Sequence, residues 1–256
     1  MFDYLKRLFL TSSMIRRHAE FSENAAIPLS RWLEIREDER KKHPRPDALL
    51  PLNKSEAGYS GQHDELVPIF NGVELGTWAI NRKTMDWLWE NLTSTRPKTI
   101  LEFGSGSSTC MFCAWIKAVQ PASRIVSIDQ SEDEAHRTAD RLAHFGLSKF
   151  GEVMAFPLDA EDRYTISKER LSHILNDRKA DMVFVDGPAG KDGCREGTLK
   201  DAIPFRSSHG QIFLHDALRD GELQTLQSWS CIKGITIEGI LPYGSGLGVC
   251  TWTFNE

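Results

Sequence analysis

The sequence predicts an α/β protein: a doubly wound sheet of five parallel strands closed by an antiparallel pair, helices on both faces, and a helical N-terminal extension. Three features carry that prediction. Short apolar runs alternate with longer amphipathic ones from about residue 60 onward, the pattern of strand–helix–strand units. The runs are continuous rather than alternating, as expected of parallel strands buried on both faces. Finally, two β-rich stretches at 234–241 and 248–254 are separated only by residues 242–247, too few for a crossover, so they pair antiparallel.

In chain order, Phe2, Leu5, Leu8, Phe9 and Ile15 fall at helical spacing among Lys6, Arg7, Arg16 and Arg17. Such a basic amphipathic helix either lies on a membrane surface or packs on its own domain or a sister subunit. The short polar face, diluted by Asp3 and Glu20, favours packing. Mixed charge at 36–42, then His43-Pro44-Arg45-Pro46, reads as a solvated helix end running into an extended connection. Residues 1–60 are thus expected to form a helical cap or a homo-oligomer contact, and residues 61–256 the main domain. A helix is expected over Thr77–Leu92, with strands at Thr99–Phe103, Arg124–Asp129, Glu152–Phe156, Asp181–Asp186 and Gln211–His215. Helices are expected near 107–119, 131–145, 163–176, 195–207 and 218–230.

Composition narrows the function. The 256 residues carry a net charge of −5, which disfavours a nucleic-acid binder working through a basic global field. No apolar run approaches a membrane span, and no signal peptide is recognisable. Five irregularly spaced cysteines suggest a reduced, cytoplasmic chain. Cys110 and Cys113 have C-x-x-C spacing, but Met111, Phe112 and Trp115 around them predict core packing.

The first strand ends in Glu102-Phe103-Gly104-Ser105-Gly106-Ser107-Ser108-Thr109 and opens a helix. Glycine lets the backbone turn sharply and approach a ligand, and the amides of a helix start face the same space. Asp129 closes the second strand, where a carboxylate can accept both hydroxyls of a ribose. A dinucleotide fingerprint requires a third glycine where this chain has Thr109, and Glu102 is a poor neighbour for a pyrophosphate. A cationic, phosphate-free nucleoside such as S-adenosylmethionine suits the loop better.

These residues, followed by Ser-Ile-Asp at 127–129, Val-Phe-Val-Asp-Gly-Pro at 183–188 and Phe-Leu-His-Asp-Ala-Leu-Arg at 213–219, resemble the successive motifs of the class I S-adenosylmethionine-dependent methyltransferases. The antiparallel final pair is also that family's ending, and the resemblance covers about residues 75–256. It implies a Rossmann-like fold, with Glu102, Gly104, Ser105, Gly106 and Ser107 around the methionine part of the cofactor. Ser108 stands where many members carry another glycine. Asp129 would hold the ribose and Asp159 would lie near the adenine. The Asp-Ala-x-Arg-x-x-Glu stretch at 216–222 resembles a branch that often acts on sugars or small polar metabolites.

Methyl transfer from a sulfonium releases a neutral thioether, so catalysis reduces to alignment and removal of the acceptor's proton. Asp186, His215 and Asp216 stand at the ends of strands expected to be adjacent, and only one of His215 and Asp216 should face the pocket unless the strand has already ended. Two mechanisms follow. Either His215 or Asp186 is the general base, or Asp186 and Asp216 bind a divalent metal as in the catechol-type enzymes. Against the metal, Ala217 stands where those enzymes supply a further oxygen ligand. Arg219 and Glu222 are expected as a surface ion pair, with contact to an acidic substrate group as the alternative. The competing readings are an NAD(P)-dependent oxidoreductase on a related sheet and a non-catalytic cofactor-binding scaffold.

Overall fold

A computed structural model describes residues 25–42, 56–57, 61–71, 74–75 and 79–254. The amphipathic stretch at 2–17, the prolines at 44 and 46, and Trp78 lie outside the described residues. The elements are helix α1 (Leu29–Lys42), strand β1 (Glu56–Ala57), helix α2 (Val67–Phe70), β2 (Glu74–Leu75), α3 (Arg82–Thr95), β3 (Thr99–Phe103), α4 (Ser107–Val119), β4 (Arg124–Asp129), α5 (Glu132–His144), β5 (Gly151–Ala155), α6 (Lys168–Leu175), β6 (Ala180–Val185), α7 (Glu196–Ala202), β7 (Arg206–His215), α8 (Asp220–Ser230), β8 (Ile235–Leu241) and β9 (Leu247–Thr253). The short β1 and β2 form a separate antiparallel ribbon.

The main sheet has seven strands in the order β5-β4-β3-β6-β7-β9-β8. The first five neighbours run parallel, and β9 inserts antiparallel between β7 and β8. Alternation along each strand divides the core into two layers. Ile100, Met182, Phe184 and Phe213 face the layer that holds the apolar faces of α3 and α4. Leu101, Phe103, Val183, Val185, Ile212 and Leu214 face the layer filled by α6, α7 and α8. The strand order reverses between β4 and β6, on either side of β3, and a ligand crevice belongs above that point.

Local chemistry sets the helix starts. Asn81 caps α3 through Thr84 N at 3.0 Å, Ser131 caps α5 through Glu134 N at 3.3 Å, and Ser167 caps α6 through Arg170 N at 3.1 Å. The Ser167 cap explains why α6 begins at residue 168 rather than near 163. Tyr164 instead bridges back to Leu158.

At the other edge, Ile27 exchanges two backbone hydrogen bonds with Ile240 of β8, at 3.0 and 2.8 Å. The edge strand is thereby covered. Helix α1 then lies against α8. Within the stretch expected to be solvated, Arg36 is fully buried and its Nη2 meets Asp220 Oδ1 at 3.1 Å. Arg40 meets the same oxygen at 3.0 Å. A carboxylate at the first position of α8 suits the positive end of the helix and also draws in both arginines. Among the described residues Cys110, Cys113, Cys194 and Cys250 are buried free thiols, and burial pushes the Cys110 thiol up to about 12. The C-x-x-C pair is core packing, as its neighbours predict.

Candidate active site

The glycine loop lies at the top of β3, as the sequence predicts. Gly104 has φ +93°, and a Cβ there would come within 2.7 Å of Gly187 N and 2.9 Å of the Asp186 carbonyl carbon. Glycine is required because this loop touches the turn that follows β6. Gly106, at φ +156°, opens directly into α4.

Glu102 is buried beneath that loop. Its Oε2 accepts from Thr109 Oγ1 at 2.5 Å and from Ser127 Oγ at 2.6 Å, while Oε1 is buried with no hydrogen-bond partner among the described residues. Burial pushes its pKa up to about 7, partly offset by hydrogen bonds from Ser108, Ser127 and Thr109. Thr109 therefore does work that a third glycine could not: its hydroxyl accepts from Gly106 N at 2.9 Å and fixes the loop to β3.

Asp129 ends β4 and points toward the same loop. Its Oδ2 accepts from Ser105 N at 2.7 Å and Ser105 Oγ at 2.8 Å, and its Oδ1 accepts from Ser131 N at 2.8 Å. A carboxylate has about four lone-pair sites, so each oxygen retains acceptor capacity. Ser107 and Ser108 are buried in the first turn of α4. Asp159 is different. Its oxygens accept from Glu161 N and Arg163 N, both at 2.9 Å, and from Arg163 Nε at 3.2 Å. Its carboxylate thus shapes the turn at 159–163. Tyr164, which the sequence reading passed over, has a buried hydroxyl without a partner among the described residues. That hydroxyl would lie 2.5 Å from a Cβ at Gly187.

The reacting end gathers Asp186, His215 and Asp216, whose ligating atoms lie within 4.8 Å of one another. Strand alternation would have separated the last two. Strand β7 ends at His215, however, and Asp216 takes a left-handed conformation with φ 59°, which turns its side chain back beside the imidazole. The closing hairpin holds that turn: Ala217 N and Leu218 N donate to Gly246 O and Ser245 O, and Ser245 Oγ donates to Asp216 Oδ1.

His215 Nδ1 lies 2.8 Å from Asp186 Oδ1. An ionised carboxylate only accepts, so Nδ1 carries the hydrogen and Nε2 is the free acceptor of the neutral ring. Nε2 is buried with no partner among the described residues. Burial alone would lower the imidazole pKa, but the charges of Asp186 and Asp216 outweigh it and raise it above the ordinary 6.5. Asp216 is driven the other way. Burial opposes ionisation, yet His215, Arg195, Arg219 and the Ser245 hydroxyl hold its carboxyl below the usual range.

Arg195 was not singled out from the sequence. It precedes α7, its side chain is 3% exposed, and its Nη2 lies 3.6 Å from both Asp186 Oδ1 and Asp216 Oδ2. Its Nη1 donates to His215 O at 2.9 Å. The expected Arg219–Glu222 surface pair is replaced by two inward pairs: Arg219 with Asp216 at 2.8 Å and Glu222 with Arg195 at 3.6 Å. Glu222 is buried, and burial raises its pKa. A cavity of about 320 Å³ opens beside this cluster, lined in part by Pro188, Lys191, Arg195, Arg219 and Glu222.

Residues 101–217, which hold the glycine loop, Asp129, Asp186, His215 and Asp216, match a family described as a methyltransferase domain. No curated protein matches the chain's sequence. Solved structures share the fold at low identity. A methyltransferase from Geobacter sulfurreducens is 19% identical, with TM-score 0.52, covering 70% of this chain and 81% of that one. An O-methyltransferase from Bacillus cereus, in complex with S-adenosylhomocysteine, is 13% identical with TM-score 0.53 over 70% and 84% of the two chains. A Podospora anserina methyltransferase bound to S-adenosylhomocysteine is 18% identical with TM-score 0.53 and covers 96% of each chain. Residues 101–217 are thus similar to a methyltransferase domain, and the reversal of strand order beside β3 and the antiparallel closing pair belong to the fold this chain shares with those solved structures.

Proposed function

We propose that the protein methylates a hydroxyl oxygen of a small polar, sugar-like acceptor, with His215 as general base and Asp186 as its partner. The observation that carries this reading is the Asp186–His215 hydrogen bond of 2.8 Å, which leaves Nε2 without a partner among the described residues. S-adenosylmethionine supplies an electrophilic methyl group on a sulfonium. Everything else required is alignment and a place for one proton.

The residues present fit that cofactor. Gly104 admits close approach, Ser105 to Ser108 present small side chains and backbone amides, and Asp129 offers spare acceptor sites to ribose hydroxyls. The orphaned Oε1 of Glu102 provides negative character beneath a cationic methionine moiety. We place the adenine against the turn that Asp159 shapes. His215 Nε2 takes the acceptor's hydroxyl proton, and the resulting imidazolium is stabilised by Asp186 and Asp216. The cavity beside Arg219 and Lys191 is the acceptor's polar subsite. We assign closure of that pocket to the segment before residue 61, whose helix α1 is tied through Asp220 to the start of α8. That the Bacillus cereus neighbour is an O-methyltransferase agrees with an oxygen acceptor. No helix among the described residues is long and apolar enough to cross a membrane.

The test is transfer of labelled methyl from S-adenosylmethionine to a panel of polyhydroxylated and phenolic small molecules. Transfer to oxygen is expected, with loss in His215→Ala and undiminished binding of S-adenosylhomocysteine. Labelling of nitrogen acceptors alone would contradict the reading.

A further inference from the structure

Two carboxylates and an imidazole within 4.8 Å of one another are residue types that hold a divalent ion, and the likeness to catechol-type methyltransferases implies one here. The disposition of the residues does not fit it. We propose instead that the cation of this site is built into the chain: Arg195 stands where a metal would, positioning Asp186 and His215 for metal-independent activation of the acceptor. The proposal rests on the reading of Asp186 and His215 as the acceptor-activating pair.

The guanidinium is fixed at the centre of the cluster. Nη2 lies 3.6 Å from Asp186 Oδ1 and 3.6 Å from Asp216 Oδ2, and Nε lies 3.6 Å from Glu222 Oε1. It cannot swing aside without breaking the hydrogen bonds that anchor it, Nη1 to His215 O at 2.9 Å and Nε to Pro188 O at 3.4 Å. Three of the four carboxylate oxygens of Asp186 and Asp216 are already engaged. Asp186 Oδ1 accepts from His215 Nδ1, Asp216 Oδ1 accepts from Ser245, and Asp216 Oδ2 pairs with Arg219 at 2.8 Å. His215 Nδ1, the ring nitrogen beside the carboxylates, carries a hydrogen, so the lone pair left for a metal is that of Nε2 on the opposite side of the ring.

Charge accounting agrees. Asp186, Asp216 and Glu222 bring at most three negative charges, and Arg195 and Arg219 bring two permanent positive ones. A divalent ion added here would turn the site net positive and press against a guanidinium held by its hydrogen bonds to His215 O and Pro188 O. The planar fork reaches several carboxylates at once from one position, which a metal would otherwise do. Arg195 borders the acceptor cavity but acts through Asp186 and His215, not on the transferred methyl. It is a positioning residue.

The probe is Mn²⁺ alone, followed by electron paramagnetic resonance and thermal unfolding on the full chain. Wild-type protein is expected to leave the Mn²⁺ signal that of the free ion and to show no metal-dependent rise in midpoint. Arg195→Gln opens the cluster and should gain one saturable Mn²⁺ per chain, whereas Arg195→Lys, which restores the charge, should remain metal-free. One bound ion per wild-type chain, abolished by Asp186→Asn, would overturn the proposal even if Arg195→Gln failed to fold. A folded Arg195→Gln protein that binds no ion would overturn it as well. Calorimetry of S-adenosylhomocysteine on the same wild-type sample separates the two ideas. Absent binding sinks the methyltransferase reading of the site and leaves the metal result standing.

Discussion

His215 and Asp186 come from the ends of adjacent parallel strands, and their side chains meet at 2.8 Å because β6 and β7 pair in register through Val185 and Leu214. The sheet itself sets this distance. The residue following each of those paired positions must arrive at the same edge of the same crevice.

The first prediction is therefore a separation of turnover from binding. Asp186→Asn and His215→Gln should each lower kcat by roughly 10²- to 10⁴-fold, the contribution of a positioned base. Affinity for S-adenosylhomocysteine should be nearly unchanged, because neither residue belongs to the glycine loop. Calorimetry and steady-state kinetics on the same preparations decide it, and equal loss of both would show that the pair serves only the fold.

Activity and stability should move in opposite directions with pH. The charges of Asp186 and Asp216 hold the His215 pKa above 6.5 in the folded protein, against the opposing effect of burial. The neutral ring is the base, so activity rises with pH along a limb lying above 6.5. Imidazolium pairing stabilises the fold fully below the unfolded value of about 6.5, and that contribution is lost as pH rises through the folded pKa. His215→Gln should remove this component of the stability slope; an identical slope in the variant would contradict the assignment.

Glu102 adds a second pH signature without cofactor. Its folded pKa of about 7 exceeds the ordinary 4.5 because the carboxyl is buried. The unfolded chain releases this proton first, so stability falls as pH rises from about 4.5 to 7, by on the order of 3 kcal/mol. Glu102→Gln should flatten that fall and stabilise the cofactor-free protein at pH 8. It should also weaken S-adenosylmethionine binding. Denaturant titrations at several pH values measure the first effect and calorimetry the second.

Gly104→Ala tests the contact between the two loops. A Cβ within 2.7 Å of Gly187 N must displace either the glycine loop or the Asp186 turn. The left-handed backbone adds strain of roughly 1–3 kcal/mol. A lowered midpoint together with loss of S-adenosylhomocysteine binding is expected. An unchanged midpoint would mean that the loops are not held against each other.

The parts of the fold visible in the sequence are those where local pattern and burial coincide. Strands β3 and β4 and helix α4 have the bounds that their apolar runs and small-residue loop indicate. Strand β7 begins at Arg206 rather than Gln211; its first half is polar and partly exposed, held by pairing of Arg206 with Ala180 of β6 and of His209 with Thr253 of β9 rather than by an apolar core. The ends of β6 and β7 revealed Asp186, His215 and Asp216, but not that a left-handed Asp216 brings all three together. Arg195 carried no local signal. Its meaning comes from carboxylates 9, 21 and 27 positions away along the chain, Asp186, Asp216 and Glu222, which only the tertiary fold assembles. Arg36 was missed for the same reason, since its partner Asp220 lies 184 residues further on.

Asp129 is where the account stands or falls. A crystal structure with S-adenosylhomocysteine should show the ribose hydroxyls on Asp129, the amino acid portion over Gly104–Ser107, and the sulfur turned toward the side of the crevice that holds His215 and Asp186. A ligand bound elsewhere, or an empty crevice above the glycine loop at saturating ligand, would contradict it.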